Sequence, residues 1–412
     1  MFRNYLLTAW KVFMRRKLFT AINLLCIVLT LVVLMVVSAL LQNTFYPTGV
    51  EGRSDRFVQM VMMQSGHTDR NGQFRGFFGY KIIERYLKPM KGVEAVSASM
   101  FPQAVAVYQA GRVSDVQLRR TDAEYWRILD FRVVAGRVIS ADDVEQGRFV
   151  AVLNLSTARK LFPGQPYLNQ KILMDGQTFT VIGVVEDALQ VNAYADAWVP
   201  TTTLASTDYK SQEFGSFTLM ILARTAADLP AIKRDIVRIA KTVRYDDPNQ
   251  YNVTQFWGDS KLELFARTLT SSTAEDAGVG KFVAGIVVLM LLFMALPALN
   301  LINLNVGRIM ERGSEIGVRK AFGATSRQLV AQLVLENVLL CLIGGAIGLV
   351  CAAGALSWLE GSGLIPYLKV ELNLAVFGYG LLLTLVFGVL SGVIPAWKMS
   401  RLDPVRALKG NT

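Results

Sequence analysis

Four windows of this 412-residue chain contain no Asp, Glu, Lys or Arg: Leu18–Val50, Phe282–Gly307, Asn337–Leu359 and Leu372–Trp397. About 20 apolar residues at about 1.5 Å per residue cross a bilayer core, so each window is long enough to span one. A single window of this kind also fits the buried helix of a soluble protein, but four in one chain argue against that. The dense apolar part of the first, Leu18–Leu41, exceeds the roughly 7–15 residues of a cleavable signal sequence, and Ser38–Ala39 is a weak cleavage site. It reads as an uncleaved span. Only 18% of the residues are charged, against about 25% in soluble domains, which leaves too little charge to coat a water-facing surface. Composition also excludes a disulfide scaffold, a collagen-like chain and a disordered chain.

The net charge of +11 would suit a nucleic-acid binder, but its distribution points to topology. The leader carries Arg3, Lys11, Arg15, Arg16 and Lys17 with no acid. The segment between the second and third windows carries Arg308, Arg312, Arg319, Lys320 and Arg327 against Glu311 and Glu315. The tail carries Lys398, Arg401, Arg406 and Lys409 against Asp403. These three segments hold the whole excess, while the long stretch 42–281 is nearly neutral. By the positive-inside rule both ends and the middle loop face the cytoplasm and 42–281 faces outward. No polyanion partner is needed to explain the charge.

The expected organisation is a membrane protein of four transmembrane α-helices with a large α+β domain inserted between the first two. An amphipathic cytoplasmic leader occupies 1–17 (Phe2, Tyr5, Leu6, Trp10 and Phe13 against its basic residues) and lies along the inner membrane surface. Spans then follow at 18–41, 282–307, 329–359 and 372–397. Between them lie the outer domain 42–258, a stalk 259–281, a cytoplasmic coupling helix 308–328 and a short external loop 360–371. A cytoplasmic tail, 398–412, closes the chain. Cys26, Cys341 and Cys351 all fall in spans, so the outer domain folds without disulfides.

In the outer domain the apolar period shortens. Lys171–Met174 and Gln177–Val185 flank Asp175-Gly176, the dipeptide that a tight hairpin favours. Phe149–Leu153 and Phe217–Ala223 also read as strands. Asp122–Leu129, Ser156–Leu161 and Leu229–Val243 read as helices, the last with Leu229, Ile232, Ile236 and Ile239 on one face. Two lobes are expected, near 52–148 and 149–225. Catalytic chemistry is sparse. His67 is the chain's one histidine, which argues against a zinc site. Gly-x-Ser-x-Gly and Ser-x-x-Lys are both absent. Met60, Met62 and Met63 could suggest copper or haem binding, but alternation along a strand explains two of them at least as well, and Asp142, Asp143 and Glu145 read as a solvated helix start. No metal ligands and no catalytic residues are assigned.

The most informative segment is Glu311-Arg-Gly-Ser-Glu-Ile-Gly-Val-Arg-Lys-Ala-Phe-Gly-Ala324. Glu315 and Arg319, four apart, support a helical turn. Ile316, Ala321 and Phe322 form an apolar contact face between charges, which a loop serving topology alone does not require.

This stretch resembles the Glu-Arg-x-x-Glu-Ile-Gly-x-Arg-Lys-Ala-x-Gly-Ala signature of MacB/FtsX-type ABC transporter permeases. It matches at Glu311, Arg312, Glu315, Ile316, Gly317, Arg319, Lys320, Ala321, Gly323 and Ala324. Position 314, often basic in that family, is Ser here. Asn303, Glu336, Gly344-Gly345, Gly348, Pro395-Ala396 and Leu402–Leu408 fall where the family carries its other motifs. Tyr125 to Arg137, Leu161–Gly164 and Asp175–Val185 are similar to its periplasmic core domain.

The resemblance implies a non-catalytic permease subunit of the bacterial inner membrane whose outer domain is periplasmic. The coupling helix, with Phe322 among its contacts, would meet an ABC ATPase. No Gly-x-x-x-x-Gly-Lys-Ser/Thr loop occurs in the sequence, so the chain itself needs no cofactor, and ATP and magnesium would belong to the ATPase partner. A second permease chain, identical or sister, is implied. Gly344, Gly348 and Ala352, like Gly388 and Gly392, repeat at four-residue spacing and allow close helix approach. They suit a dimer seam or packing within one chain equally well. Asn300 and Asn303 share a face of the second span, and Glu336 sits near the cytoplasmic end of the third, where Arg308 is a plausible partner.

The implied activity is mechanotransmission, in which ATPase movements reach the outer domain and drive export of a small molecule or peptide from the periplasmic side. Such exporters often work with a periplasmic adaptor and an outer-membrane channel. Two relatives in kind offer alternatives: lipoprotein release, and FtsX-like signalling to a cell-wall hydrolase or sensor.

Overall fold

The computed structural model describes residues 13–15, 17–46, 49–70, 72–109, 112–311, 325–364 and 373–400. Two units are distinguished, one formed by Thr44–Phe282 and one by the flanking stretches 1–43 and 283–412.

Thr44–Phe282 is α+β. Its strands are β1 (Phe57–Met60), β2 (Met63–Gly66), β3 (Gln73–Phe78), β4 (Val93–Met100), β5 (Gln103–Gln109), β6 (Arg112–Thr121) and β7 (Val133–Gly136). After these come β8 (Val150–Asn154), β9 (Lys171–Met174), β10 (Gln177–Val185), β11 (Ala197–Pro200), β12 (Phe214–Gly215), β13 (Phe217–Ala223) and β14 (Val253–Gln255). Their main path runs β11-β8-β10-β9-β5-β6-β4-β13-β3-β2-β14. Most pairs are antiparallel, but β10–β8 and β11–β6 are parallel. Asp175 and Gly176 take φ of 49° and 72°, so the β9–β10 hairpin closes with the two positive values such a turn needs.

The expected split into consecutive halves is replaced by a nested arrangement. One core gathers Val58, Phe78, Ile82, Val96, Phe217 and Phe256 from both ends of the domain. Another gathers Val107, Val116, Phe162, Ile172 and Phe179 from its middle. A third, around Tyr125, Ile128 and Trp198, takes in Phe57 and Met220 as well. The chain begins one lobe, builds the other and returns, because β13 must pair with β1 and β4 to complete the first sheet region.

The helices follow local rules. Asp122 caps Ala123–Ile128 by accepting from the Tyr125 amide at 3.1 Å, and the expected 122–129 helix corresponds to this element with its two caps. Leu229–Ala240 starts after a Thr225–Asp228 capping box, carries Pro near its first position and buries Ile232, Ile236 and Ala240 at four-residue spacing. Met60 and Met63 are buried on two strands, whereas Met62 between them is exposed. No two of the three lie on one strand, so strand alternation does not relate any pair of them. Asp143 is not solvated either: it closes a capping box with Ser140 and is fully buried between Arg137 and Arg148.

In the other unit the chain forms α1 (Lys17–Phe45), Val279–Glu311, Ser326–Gly361 and Leu374–Ser400. Thr20–Phe45 and Val330–Gly361 are long and apolar enough to cross a membrane, and Val279–Phe293 and Leu374–Leu390 are shorter apolar stretches. A Thr325–Gln328 capping box starts the third of these helices. Most of the leader, the segment 312–324, residues 365–372 and the tail from 401 lie outside the described residues.

Candidate functional site

The coupling segment expected at Glu311–Gly323 enters the described structure only at Glu311, the last residue of helix Val279–Glu311. Arg312, Glu315, Ile316, Gly317, Arg319, Lys320, Ala321, Phe322 and Gly323 lie outside it. Asn300 and Asn303 are on that same helix, and the side chains of both, like that of Arg308, are outside the described set.

The small residues have clear neighbours in their own chain. A methyl group on Gly344 would come within 2.6 Å of Ile27, and one on Gly348 within 3.3 Å of Leu31. The first and third long helices therefore approach backbone to side chain at two successive turns. Gly388 faces the Cys341 sulfur, and its carbonyl accepts from Asn337 Nδ2 at 3.3 Å. Ala352 is fully buried, and Gly392 lies on the fourth helix. Glu336 is 3% exposed, and its Oε1 accepts from Gln332 at 3.2 Å. Here too Asn373 Nδ2 donates to Gln42 Oε1 at 2.7 Å, tying the start of the fourth helix to the first.

A dense polar construction stands in the α+β unit, at the stretch expected as the stalk. It begins at Asp259, whose backbone exchanges two hydrogen bonds with Gln59 of β1. Ser260 then caps helix Lys261–Thr270 through a capping box with Glu263. The helix ends at Ser271, and Gly278, with φ of 77°, turns the chain into Val279–Glu311. A methyl at Gly278 would come within 2.7 Å of Thr270 Oγ1, so the turn has neither the conformation nor the room for a larger residue. The expected helix-tolerant stalk is thus a helix, a loop and a second helix.

Arg267 holds that loop. Its guanidinium meets Asp259 with two bonds of 2.7 and 3.0 Å, donates to the Ser272, Ala274 and Glu275 carbonyls, and lies 4.5 Å from the Trp257 ring centre. Burial pushes the Asp259 carboxyl up, opposed by the Arg267 charge. Burial also acts upward on Glu263, but hydrogen bonds from Lys233 and the Ser260 amide outweigh it and hold that carboxyl below its usual range.

Lys261 makes the second anchor. Its ammonium donates to Glu51 Oε2 at 2.9 Å and to the Tyr46 carbonyl at 3.2 Å. Glu51 Oε1 accepts from both the backbone and side-chain nitrogens of Asn192, at 3.1 and 2.9 Å. The Asn192 carbonyl in turn accepts from the Tyr125 hydroxyl at 2.7 Å, and that hydroxyl accepts from Trp198 Nε1 at 3.3 Å. Desolvation pushes the Tyr125 hydroxyl up to about 12, so it stays a donor. Arg119, 3% exposed, fixes the same loop by donating to the Val191 and Tyr194 carbonyls. An unbroken chain of hydrogen bonds thus runs from Trp198 in the core to the stalk helix. Phe45, Phe265 and Phe282 complete the site, with ring centres 5.2, 6.3 and 5.6 Å apart in edge-to-face arrangements.

None of Phe45, Glu51, Lys261, Phe265, Arg267 or Phe282 was singled out in the sequence. One signal was available: Ser260-x-x-Glu263 marks a helix start within the polar stretch.

Comparison with known proteins agrees across most of the chain. The model of the MacB-like periplasmic core domain matches residues 20–239, and that of the FtsX-like permease C-terminal matches 287–404. The ABC transporter permease YknZ of Bacillus subtilis is 25% identical over 78% of this chain and 77% of its own. A macrolide export ATP-binding/permease protein MacB of Yersinia pestis is 26% identical over 99% of this chain and 60% of its own. That of Hahella chejuensis is 28% identical over 77% of this chain and 46% of its own. The chain thus spans about half the length of the MacB relatives it matches. The crystal structure of the periplasmic region of MacB from Actinobacillus actinomycetemcomitans aligns with a TM-score of 0.39 at 15% identity, over 55% of this chain and 98% of that one.

Proposed function

The chain belongs to the MacB/FtsX-type family of ABC transporter permeases, and from that premise we propose that it is a mechanotransmitting export subunit. Four spans hold it in the bacterial inner membrane with residues 42–281 on the periplasmic side. ATP is hydrolysed by a partner ABC ATPase that docks on Glu311–Ala324. Two permease chains work with two ATPase chains. Movement passes along helix Val279–Glu311 into the Asp259–Gly278 stalk and from there, through Lys261, Glu51 and Asn192, into the lobes that drive a small molecule or peptide outward.

The observation that carries this reading is the hydrogen-bonded chain from Lys261 to Trp198. A loosely tethered domain would absorb a push in its linker, whereas buried ionic and aromatic contacts pass it on because packed interfaces switch rather than deform smoothly. The names of the MacB relatives point toward export. The apolar cavity between Thr30, Val33, Leu34 and Leu289, Met290, Phe293 has a volume of about 130 Å³, close to the ~150 Å³ that accommodates a benzene. Lipoprotein release, which would call for an apolar cavity between the stalks open to the outer leaflet, stands as the alternative.

The test is co-purification with the partner ABC ATPase. Glu315→Lys should abolish ATPase binding and stimulation while membrane insertion persists, and a variant that still co-purifies with a stimulated ATPase overturns the docking assignment. A cysteine at Gly176 should label from outside intact spheroplasts. Labelling only after lysis overturns the orientation.

A further inference from the structure

The three-stranded edge formed by β3, β2 and β14 bears a cleft of about 290 Å³. Its floor follows from register. Gln64 lies opposite Gln255 on one side and Arg75 on the other, and Gly66 lies opposite Val253 and Gln73. Because successive side chains alternate in direction, Gln64 and Gln255 share the cleft face. Ser65 and Thr254 point the other way, where both meet the Tyr245 hydroxyl.

One wall is the turn after β2, and it is fixed in place. Asn252 accepts from the Thr68 amide at 2.9 Å, donates to the Thr68 hydroxyl at 3.0 Å and donates its own amide to the Gly66 carbonyl at 2.9 Å. His67 Nδ1 accepts from the Asp69 amide at 3.1 Å, which leaves Nε2 as the ring's donor. Arg70 lines the cleft from the same turn; none of the described lining residues is acidic, and the one carboxylate of the turn, Asp69, lies 4.0 Å from His67 Nδ1.

Gln64 supplies the second, independent observation. It is 4% exposed, lines the cleft, and its Oε1 has no hydrogen-bond partner among the described residues. Buried polar atoms are ordinarily paired, and one left unpaired is costly. The cleft therefore combines a buried acceptor with nearby Arg70, His67 and Thr68 donors. A bare anion would match the donors and leave Gln64 unserved. A carboxylate with an N–H a few ångströms away matches both.

We propose that this cleft binds the free C-terminal end of a short peptide, its carboxylate on the Arg70 and His67 donors and its last amide N–H on Gln64. The volume, at the small end of ligand sites, admits a terminal residue or two rather than a folded partner. The proposal does not rest on ATPase coupling, and its test contains no nucleotide.

The test is calorimetric titration of the full-length chain in detergent with tri-alanine, tri-alanine amide, acetate and inorganic phosphate. Tri-alanine should bind saturably at one site per chain, and the amide should bind about tenfold more weakly, the loss expected for a charge-assisted bond. Arg70→Gln, at an exposed position, and Gln64→Leu should each weaken tri-alanine about tenfold as well. Absence of tri-alanine binding overturns the proposal, as does equal binding of acid and amide. Displacement of the peptide by acetate or phosphate at equal concentration would mark a simple anion site and overturn it too. So would unchanged affinity in Arg70→Gln, which keeps the test decisive if Gln64→Leu fails to fold.

Discussion

Glu51 and Lys261, 210 residues apart, meet at 2.9 Å with 2% and 9% of their side chains exposed. Removing one partner of a buried pair leaves an uncompensated charge and costs about 3–5 kcal/mol, whereas replacing both is far less damaging. Lys261→Met should therefore lower stability by about 3 kcal/mol, and adding Glu51→Gln should restore a large part of it. Denaturant melts of the two single variants and the double variant check this; strictly additive losses would show that the two residues do not work as a pair.

Tyr125 sits one step further along. Tyr125→Phe keeps the ring packing against Trp126 and Phe131 but leaves the Asn192 carbonyl and Trp198 Nε1 without this partner. The expected loss is about 1–3 kcal/mol. Hydrogen exchange should rise in the 190–195 loop as well, and protection there equal to the parent's would break the proposed continuity with Glu51.

Asp143 gives the α+β unit an acid sensitivity. Hydrogen bonds from Arg137 hold its carboxyl far below the ordinary value, against burial, with Ser140 and Arg148 adding to the effect. The unfolded chain takes up a proton near pH 4 that the folded chain refuses. Its contribution is therefore fully present above that pH and is lost as the medium is acidified toward the folded value. Asp143→Asn should lose stability at pH 7 and show a smaller further loss between pH 5 and 3. Thermal melts at the three pH values check this; parallel pH slopes for variant and parent would assign the acid sensitivity elsewhere.

The α+β unit was legible where its instructions are local. Asp175-Gly176 announces a hairpin because few residues accept two positive φ values in a row, and Phe217–Ala223 announces a strand by its apolar run. The nesting of the lobes was not legible, because it depends on β13 returning across the whole intervening lobe to pair with β1 and β4. Asp143 read as solvated because composition does not reveal that Arg137 and Arg148 close over it. At the candidate site the polar stretch 259–281 stood out as a stalk. Its anchors did not, since Glu51 and Asn192 reach Lys261 only through the tertiary fold. The glycines were legible as close-packing positions, yet their spacing could not say whether the neighbour was Ile27 of the same chain or a second copy.

That last ambiguity has a direct test. Gly344→Leu should lower folded yield, since its first added carbon already approaches Ile27 at 2.6 Å, whereas Gly354→Leu adds its carbon into open space. Overpacking costs about 1–3 kcal/mol. Ile27→Ala should restore Gly344→Leu if the contact within one chain is the one that matters. Size-exclusion chromatography in detergent gives the yield, and failure of that rescue would return Gly344 to a dimer seam.

Phe265 is the residue at which transmission and stability separate most cleanly. Its ring meets Phe45, the last residue of the first helix, and Phe282, in the first turn of the next long helix, yet it is 42% exposed. Each aromatic pair contributes about 0.5–1.5 kcal/mol, so Phe265→Ala should shift the melting temperature only slightly. If the push from the membrane helices enters the stalk through these rings, the variant should still bind and stimulate its ATPase. A fluorophore on a cysteine at Gly176 should then lose most of its response to a non-hydrolysable ATP analogue, with Phe265→Leu intermediate because it keeps part of the contact. A full-sized response in Phe265→Ala would mean that the rings only pack, and that movement enters through the Lys261–Glu51 pair alone.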